Sequence, residues 1–268
     1  MKQDQVQLKR QRFKVWSKRI VISLIVLLIY IWAFGGISFS GIKESAMIVT
    51  ASIFDGLINP DWGYVYDPAG EDLLRGLLET VGIAFLGIFI STIIAFPISF
   101  WAASNLSKYR IISGSGKGVL SFIRTFPDIV MALLFIKAVG PGPFAGVLAL
   151  GVGAVGMLGK LYAEDIENLD HGPSEALLAT GANKAQIFLF AILPQVLPSL
   201  VSSTLYRLEI NVRSASILGI IGAGGIGTAL IFALQVRDWS RVGIILFGII
   251  FMVLIIDLIS SSIRKRLV

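Results

Sequence analysis

Six apolar stretches of roughly membrane-crossing length constrain this chain more than any other feature. A helix needs about 20 residues to cross the hydrocarbon of a bilayer, with every backbone polar group satisfied inside the segment. Residues 20–37 are uncharged throughout. Residues 77–103 carry Glu79 at the rim and Pro97 inside, and residues 119–139, 144–162, 197–221 and 242–263 complete the set. The third and fifth carry several charges and are the weakest by hydropathy alone. The rest of the chain agrees, with 55% hydrophobic and 15% charged residues where soluble domains carry about 25% charged. Such a balance excludes a disordered protein and weighs against a soluble enzyme. An all-α membrane protein with six transmembrane helices is expected.

Positive residues flank the spans in a way that sets orientation, since lysine and arginine stay on the cytoplasmic side. Lys2, Lys9, Arg10, Arg12, Lys14, Lys18 and Arg19 precede the first span against Asp4 alone, and Arg264, Lys265 and Arg266 follow the last. Both termini are therefore expected in the cytoplasm, with residues 1–19 a basic segment and 20–268 the membrane domain. Lys108, Arg110 and Lys117 fall between spans two and three, also inside. The connection over 38–76 should face outward and is acidic. Within it Ile42, Ala46, Val49, Ile53 and Leu57 recur at helical spacing, as in an amphipathic helix lying on the membrane. After the basic segment, Gly35-Gly36 is the only candidate for a cleavage site, so the first apolar run reads as a retained span. The net charge of +6 is thus an orientation signal directed at lipid, and no nucleic-acid partner is expected.

Cysteine is absent and His171 is the single histidine. Disulfides, thiol catalysis and multi-histidine metal sites are excluded. Neither a carboxylate pair nor a nucleophile–base set stands out, so no catalytic, cofactor-binding or metal-binding residue is assigned. Two glycine patterns are decoys. Gly114 to Gly118 lacks the serine or threonine that a P-loop needs after its lysine. The run Gly222, Gly224, Gly225 and Gly227 satisfies G-x-G-x-x-G but follows a membrane span where the dinucleotide fold requires a strand.

The longest cytoplasmic connection, 163–196, is organised. Ser174 precedes Glu175-Ala176-Leu177-Leu178, a good helix start. Gly181 and Asn183 make a break, and Lys184 to Leu193 form a second short apolar helix ending before Pro194. Two short helices with apolar faces and no core of their own point to a partner protein. Glu175-Ala176, Gly181 and Leu193-Pro194 resemble the EAA loop of permease subunits in ATP-binding cassette importers. In that family the loop forms coupling helices that dock into a groove of the cytoplasmic ATPase. This chain departs from the pattern at Leu177, usually alanine, and at Ala191, usually isoleucine.

The likeness extends over nearly the whole chain toward one branch. RTFPDIV (124–130), GPGPFAGVLAL (140–150), LYRLEINVRSASILGIIGAGGIG (205–227) and DLISSSIRKR (257–266) are similar to phosphonate-transport permeases. The resemblance implies the type I ABC importer permease fold in a multi-pass protein of the bacterial cytoplasmic membrane. It implies a second, identical permease copy, two ABC ATPase subunits that bind the ATP and magnesium, and an extracytoplasmic substrate-binding protein. The cargo it implies is a phosphonate or a related phosphorus oxyanion, phosphate or phosphite, moved by alternating access. It also places Gly222, Gly224, Gly225 and Gly227 near the external gate, where close helix packing and a hinge are equally open readings.

Charges inside spans are costly, on the order of 2.5–3.5 kcal/mol at a helix centre, and so need partners or water. Arg124 and Asp128, four apart, would share a helix face. Glu209 precedes Arg213 by four, the favourable order for an intrahelical pair. Arg207 and Asn211 lie about 160° around the same helix, so it must line the bundle or the dimer axis. Mutual neutralisation is the favoured reading of Glu209 and Arg213, whereas Arg207, with no acid at helical spacing, is the stronger candidate for attracting an anion. The competing classes are an ion-coupled secondary transporter that uses these charges as a relay, and an importer permease for another small polar solute. A membrane-embedded lipid-modifying enzyme would need a catalytic constellation that is missing.

Overall fold

A computed structural model of the protein describes residues 2–36, 46–68, 70–106 and 109–267. Among these the ordered elements are all helical. They fall into two compact units, residues 1–51 and residues 52–268. The first holds α1 (Lys2–Gly35), whose stretch from Val15 to Gly35 is long and apolar enough to cross a membrane. It also holds the start of α2 (Ala46–Ile58). Ile42 of the expected amphipathic stretch, residue 37 of the first expected span, and Lys108 lie outside the described residues.

The second unit contains α3 (Leu73–Ala102), α4 (Arg110–Arg124), α5 (Asp128–Val139), α6 (Pro143–Glu167), α7 (Gly172–Ala179), α8 (Lys184–Ile187), α9 (Leu193–Gly219), α10 (Ile226–Val236) and α11 (Trp239–Leu267). Five helical stretches of the described chain are long and apolar enough to span a membrane, and six if α4 and α5 count as one bent span. Asp72 caps α3, accepting from the backbone N–H of Arg75 (2.7 Å) and of Asp67 (3.2 Å). The Arg75 N–H is the main cause holding this carboxyl below its usual range. The cap's contribution is therefore complete above the ordinary carboxylate pKa and is lost only as pH falls through the lowered one.

Helices α3, α6 and α9 form the centre, and small residues set their separation. Ala84, Ala95, Ala102, Ala145, Ala149, Ala154 and Ala215 are all buried. A Cβ on Gly87 would lie 2.9 Å from that of Leu150, so α3 and α6 cross with little between their backbones. Lipid tails are as apolar as leucine, so close van der Waals packing of this kind is what holds spanning helices together. Tyr162, Leu158, Ile166, Val196 and Leu200 fill one end of the core, and Leu150, Val212 and Leu218 its middle.

The expected single span over 119–139 is broken. Between α4 and α5 the axis turns by 79°, because Pro127 has no N–H and pushes the residue before it out of the α region. The expected helix end before Pro194 is also corrected. A π-type turn, Phe188–Ile192, sends the Leu193 N–H to the Phe188 carbonyl, and α9 then starts with Pro194 in its first turn, where a missing N–H costs nothing. Helix thus runs from Lys184 to Gly219. Helix α10 stands outside the six expected spans. At about 16 Å it is too short to span, and its flanking glycines had drawn attention to the turn and away from the apolar run behind it.

At its glycines the turn into α10 admits no side chain. Gly222, Gly224 and Gly225 have φ of +93°, +82° and +75°, and a Cβ on Gly227 would strike the Ser216 carbonyl of α9. Gly227→Ala should therefore destabilise the fold by about 1–3 kcal/mol, read as a lower midpoint of thermal unfolding in detergent; an unchanged midpoint would refute the close packing.

Candidate functional site

Three regions of the second unit carry most of the residues that the sequence singles out. The first is built on a glycine register along α6. Gly153, Gly156 and Gly159 recur every three residues on one face. A Cβ on Gly153 would lie 2.8 Å from the Asp128 carboxylate, and one on Gly156 would lie 2.6 Å from Cγ of Arg124. At Gly159 it would strike the Leu120 side chain. The broken helix α4–α5 is thus laid along α6 at four-residue steps, and the glycines leave room for the two charged side chains. The repeat Gly-x-x-Gly-x-x-Gly was visible in the sequence as small-residue helix packing, but the acid and the base that it would receive were not.

Arg124 and Asp128 do not share a helix face, because the break at Thr125–Pro127 separates them. Asp128 faces α9 instead. Arg207 Nη2 donates to Asp128 Oδ2 at 3.4 Å, Ser214 Oγ donates to the same oxygen at 3.4 Å, and Arg207 Nη1 reaches Met157 Sδ at 3.4 Å. Arg207 is buried, 7% exposed, and its Nε has no partner. These groups wall a cavity of ≈ 320 Å³ lined by Arg124, Asp128, Met157, Lys160, Glu164 and Arg207 among others. Lys160 is paired with Glu164 at 3.4 Å, while Arg124 makes no ion pair among the described residues. Asn211, one turn beyond Arg207, is fully buried, and neither its Oδ1 nor its Nδ2 has a partner.

The pairing of Glu209 with Arg213 is corrected. Glu209 Oε1 accepts from Arg264 Nη2 of α11 at 2.6 Å, and that guanidinium also sits 5.8 Å from the centre of the Tyr206 ring. Arg213 is exposed and its Nε points to the backbone carbonyl of Glu209 at 3.4 Å. Four-residue spacing brings Arg213 to the backbone of Glu209, but the carboxylate is taken by Arg264 of α11. Nothing in the spacing of Arg264, 55 residues on, pointed to this. Arg264→Leu should cost about 3–5 kcal/mol by leaving a buried carboxylate unpaired, against less than about 1 kcal/mol for Arg213→Gln. Chemical denaturation in detergent measures both, and equal losses would refute the assignment.

The second region is the elbow α7–α8. The expected start at Ser174 is corrected: α7 begins at Gly172, because Pro173 is pre-set for a first helical turn, and Ser174 and Glu175 lie within that turn with no side-chain cap. The helix closes with the Ala182 N–H donating to the Leu177 carbonyl (3.1 Å) and the Gly181 N–H to that of Leu178 (3.0 Å). This Schellman closure needs the left-handed backbone that Gly181 supplies at φ +83°. Two residues on, Asn183 and Gln186 form a reciprocal capping box at 2.9 and 2.8 Å. Stop and start signals stand back to back, so the angle between the two short helices is fixed by local backbone bonds. Leu178, Leu189 and Phe190 are exposed. Phe188 packs edge-on against Phe100 of α3 at 5.2 Å, and Ala191 is buried, so the elbow is rooted in the core by its far end. Glu175 and Ala176 are exposed, Leu193 is half-buried and Pro194 is exposed.

At the opposite end of α9, Gly222, Gly224 and Gly225 sit in one turn and Gly227 in the first turn of α10. The Gly142 N–H donates to the Gly222 carbonyl (2.9 Å), while two α3 side chains cap α10: Glu79 Oε1 accepts from the Gly225 N–H (3.1 Å) and Thr80 Oγ1 from the Ile226 N–H (2.9 Å). Glu79 had counted only as a charge at the rim of a span. Gly225 lies so close that a Cβ would be 2.6 Å from Thr80 Oγ1.

Helices of spanning length, a charged cavity between them and an exposed apolar elbow at one end define a membrane transport subunit. Residues 95–268 match the binding-protein-dependent transport system inner membrane component family, and the chain belongs to it. It is 38% identical to the phosphite transport system permease protein PtxC of Stutzerimonas stutzeri over 72% of this chain and 70% of that protein. It is 34% identical to the phosphate-import permease protein PhnE of Mycolicibacterium smegmatis over 82% of this chain and 40% of that protein. With the putative cryptic phosphonate transport system permease protein PhnE2 of Escherichia coli it shares 42% over 46% of this chain and all of that one. Among solved structures, a chain of the MetNI methionine ABC transporter in an inward-facing conformation has a TM-score of 0.64 at 22% identity, covering 73% of this chain and 96% of that one. A chain of a bacterial ABC transporter for alginate has a TM-score of 0.58 at 14% identity, covering 96% and 99%. These two likenesses concern the fold, which is that of type I ABC importer permeases.

Proposed function

We propose that the chain is the permease of an ABC importer for a phosphorus oxyanion, with Arg207 as the cation that the anion meets in the membrane. The observation that carries this reading is a buried arginine on the wall of a charged cavity, in a chain whose relatives are named for phosphite, phosphate and phosphonate transport. A buried guanidinium offers a planar fork of donors matched to such an anion. Binding there should be weak, because a transporter must also release.

Energy enters elsewhere. A separate ATPase, holding its own ATP and magnesium, docks on the elbow α7–α8 and the wide turn after it, whose exposed Leu178, Leu189 and Phe190 suit an apolar groove. Two ATPase subunits serve two identical permease copies, and an extracytoplasmic binding protein delivers the cargo. ATPase closure moves the elbow, and the helical run from Lys184 to Gly219, wide turn included, carries that motion to the glycine turn at the opposite end, which acts as the external gate. Nucleotide release then reopens the cavity inward.

The elbow and both termini face the cytoplasm in this reading, and the acidic segment around Glu71 faces out. The cysteine-free chain allows a direct check with single replacements. Glu71→Cys should react with an impermeant maleimide in intact cells, and Lys184→Cys only after lysis; the reverse pattern would overturn the orientation.

Function is tested by reconstituting the chain with its ATPase and binding protein in proteoliposomes and following uptake of phosphate, phosphite and methylphosphonate. ATP-dependent uptake of at least one is expected, falling about a hundredfold in Arg207→Gln, as for loss of a charged hydrogen-bonding partner at a desolvated site. Uptake driven by a proton gradient without ATP, or unchanged uptake in Arg207→Gln at normal assembly, would sink the reading.

A further inference from the structure

We infer that Asp128 is a tethered stand-in for the transported anion: its carboxylate holds Arg207 in the empty protein, and an arriving phosphorus oxyanion displaces it. This rests on the reading of Arg207 given above and adds how the site is kept when no cargo is present.

The geometry of the pair points this way. A buried arginine and carboxylate that serve only as a strut make short contacts, commonly two parallel ones. The Arg264–Glu209 contact is such a strut, at 2.6 Å. Arg207 and Asp128 make one contact of 3.4 Å, with the buried Nε of the arginine left unpartnered. Asp128's other anchor, Ser214 Oγ, is equally long at 3.4 Å. An anion with two or three oxygens could engage the guanidinium fork more completely than this carboxylate does.

Asp128 is also free to leave. It is the first residue of α5, directly after Pro127, at the 79° break. Its side chain is 27% exposed, against 9% for that of Arg207, and it lies over Gly153, where no Cβ confines it. A destination for the displaced charge lines the same cavity: Arg124, which makes no ion pair among the described residues. The exchange therefore moves a carboxylate from one arginine to another, so the displaced negative charge is not left unpaired beside the cavity, a state that would be costly. The stand-in also lowers the apparent affinity for cargo, since the anion must compete for a cation that is already occupied.

The test uses the permease–ATPase complex in nanodiscs without binding protein, with equilibrium dialysis of radiolabelled inorganic phosphate and displacement by phosphite and methylphosphonate. Asp128→Asn keeps the shape and removes the charge. It should bind phosphate about tenfold more tightly than the unaltered complex, as expected when a competitor occupying the site most of the time is removed. The gain should vanish in the Asp128→Asn/Arg207→Gln double variant. Asp128→Ser carries the same expectation and decides the matter if the asparagine variant fails to assemble. Unchanged or weaker phosphate binding in the charge-removed variant, in a complex whose uptake depends on Arg207, overturns the stand-in and leaves the proposed function standing. Absence of uptake for all three anions overturns both.

Discussion

Everything in the bundle depends on how closely α6 can be approached. Glycines on two of its faces take α3 at Gly151, which faces Gly87 and Ile90 of that helix, and the broken helix α4–α5 at Gly153, Gly156 and Gly159. No apolar force draws helices together inside lipid, so contact must come from fit, and glycine permits the closest fit. The same absence of side chains makes space beside α6 that polar groups then occupy. Tight packing and a charged cavity are thus produced by one run of residues. A larger side chain at Gly153 or Gly156 would push away the element that bears Asp128 and Arg124.

The charges within the bundle divide by how firmly they are held. Arg264 and Glu209 tie the last turn of α11 to α9, and Ser260 of α11 donates to the Leu205 carbonyl (3.3 Å) beside them. Lys117 and Glu167 join α4 to the end of α6 at 2.8 Å, where the Ser104 N–H donates to the same carboxylate at 2.7 Å. Both ion pairs are short and fix two helices to each other. Around Arg207 the contacts are long and polar atoms are left over, including both ends of the Asn211 amide. Buried polar atoms without partners are rare in settled structure, and their gathering along one side of α9 sets this part of the bundle apart from its ties.

Periodicity and composition carried most of the fold. Long apolar runs are read directly, because a spanning helix has no other way to satisfy its backbone, and the elbow was legible because Gly181 and Asn183 are local signals with local effects, whereas Ser174 falls inside α7 and caps nothing. The break at Pro127 was hidden by continuous hydropathy across 119–139, although the proline itself marked where it fell. Helix α10 was lost behind its glycines. Pairing was the least legible layer. Spacing of four suggested Arg124 with Asp128 and Glu209 with Arg213, yet the observed partners are Arg207 with Asp128, 79 residues apart, and Arg264 with Glu209, 55 apart. Ion pairs in a bundle are chosen by which helices touch, and that information is not local.

The π-type turn at Phe188–Ile192 has a consequence for register. One residue more than an α turn is spent there, so the stripe of side chains counted back along α9 from Arg207 does not continue onto the elbow. The apolar surface of Leu189 and Phe190 is set at its own angle, independent of the face that α9 must present to α3 and α6. Removing one residue from the wide turn would restore α spacing and rotate the elbow by about 100° against α9. A local irregularity in hydrogen bonding therefore acts as a phase adjuster between two faces of a single long helix, and lets the sequence of each face vary without spoiling the other.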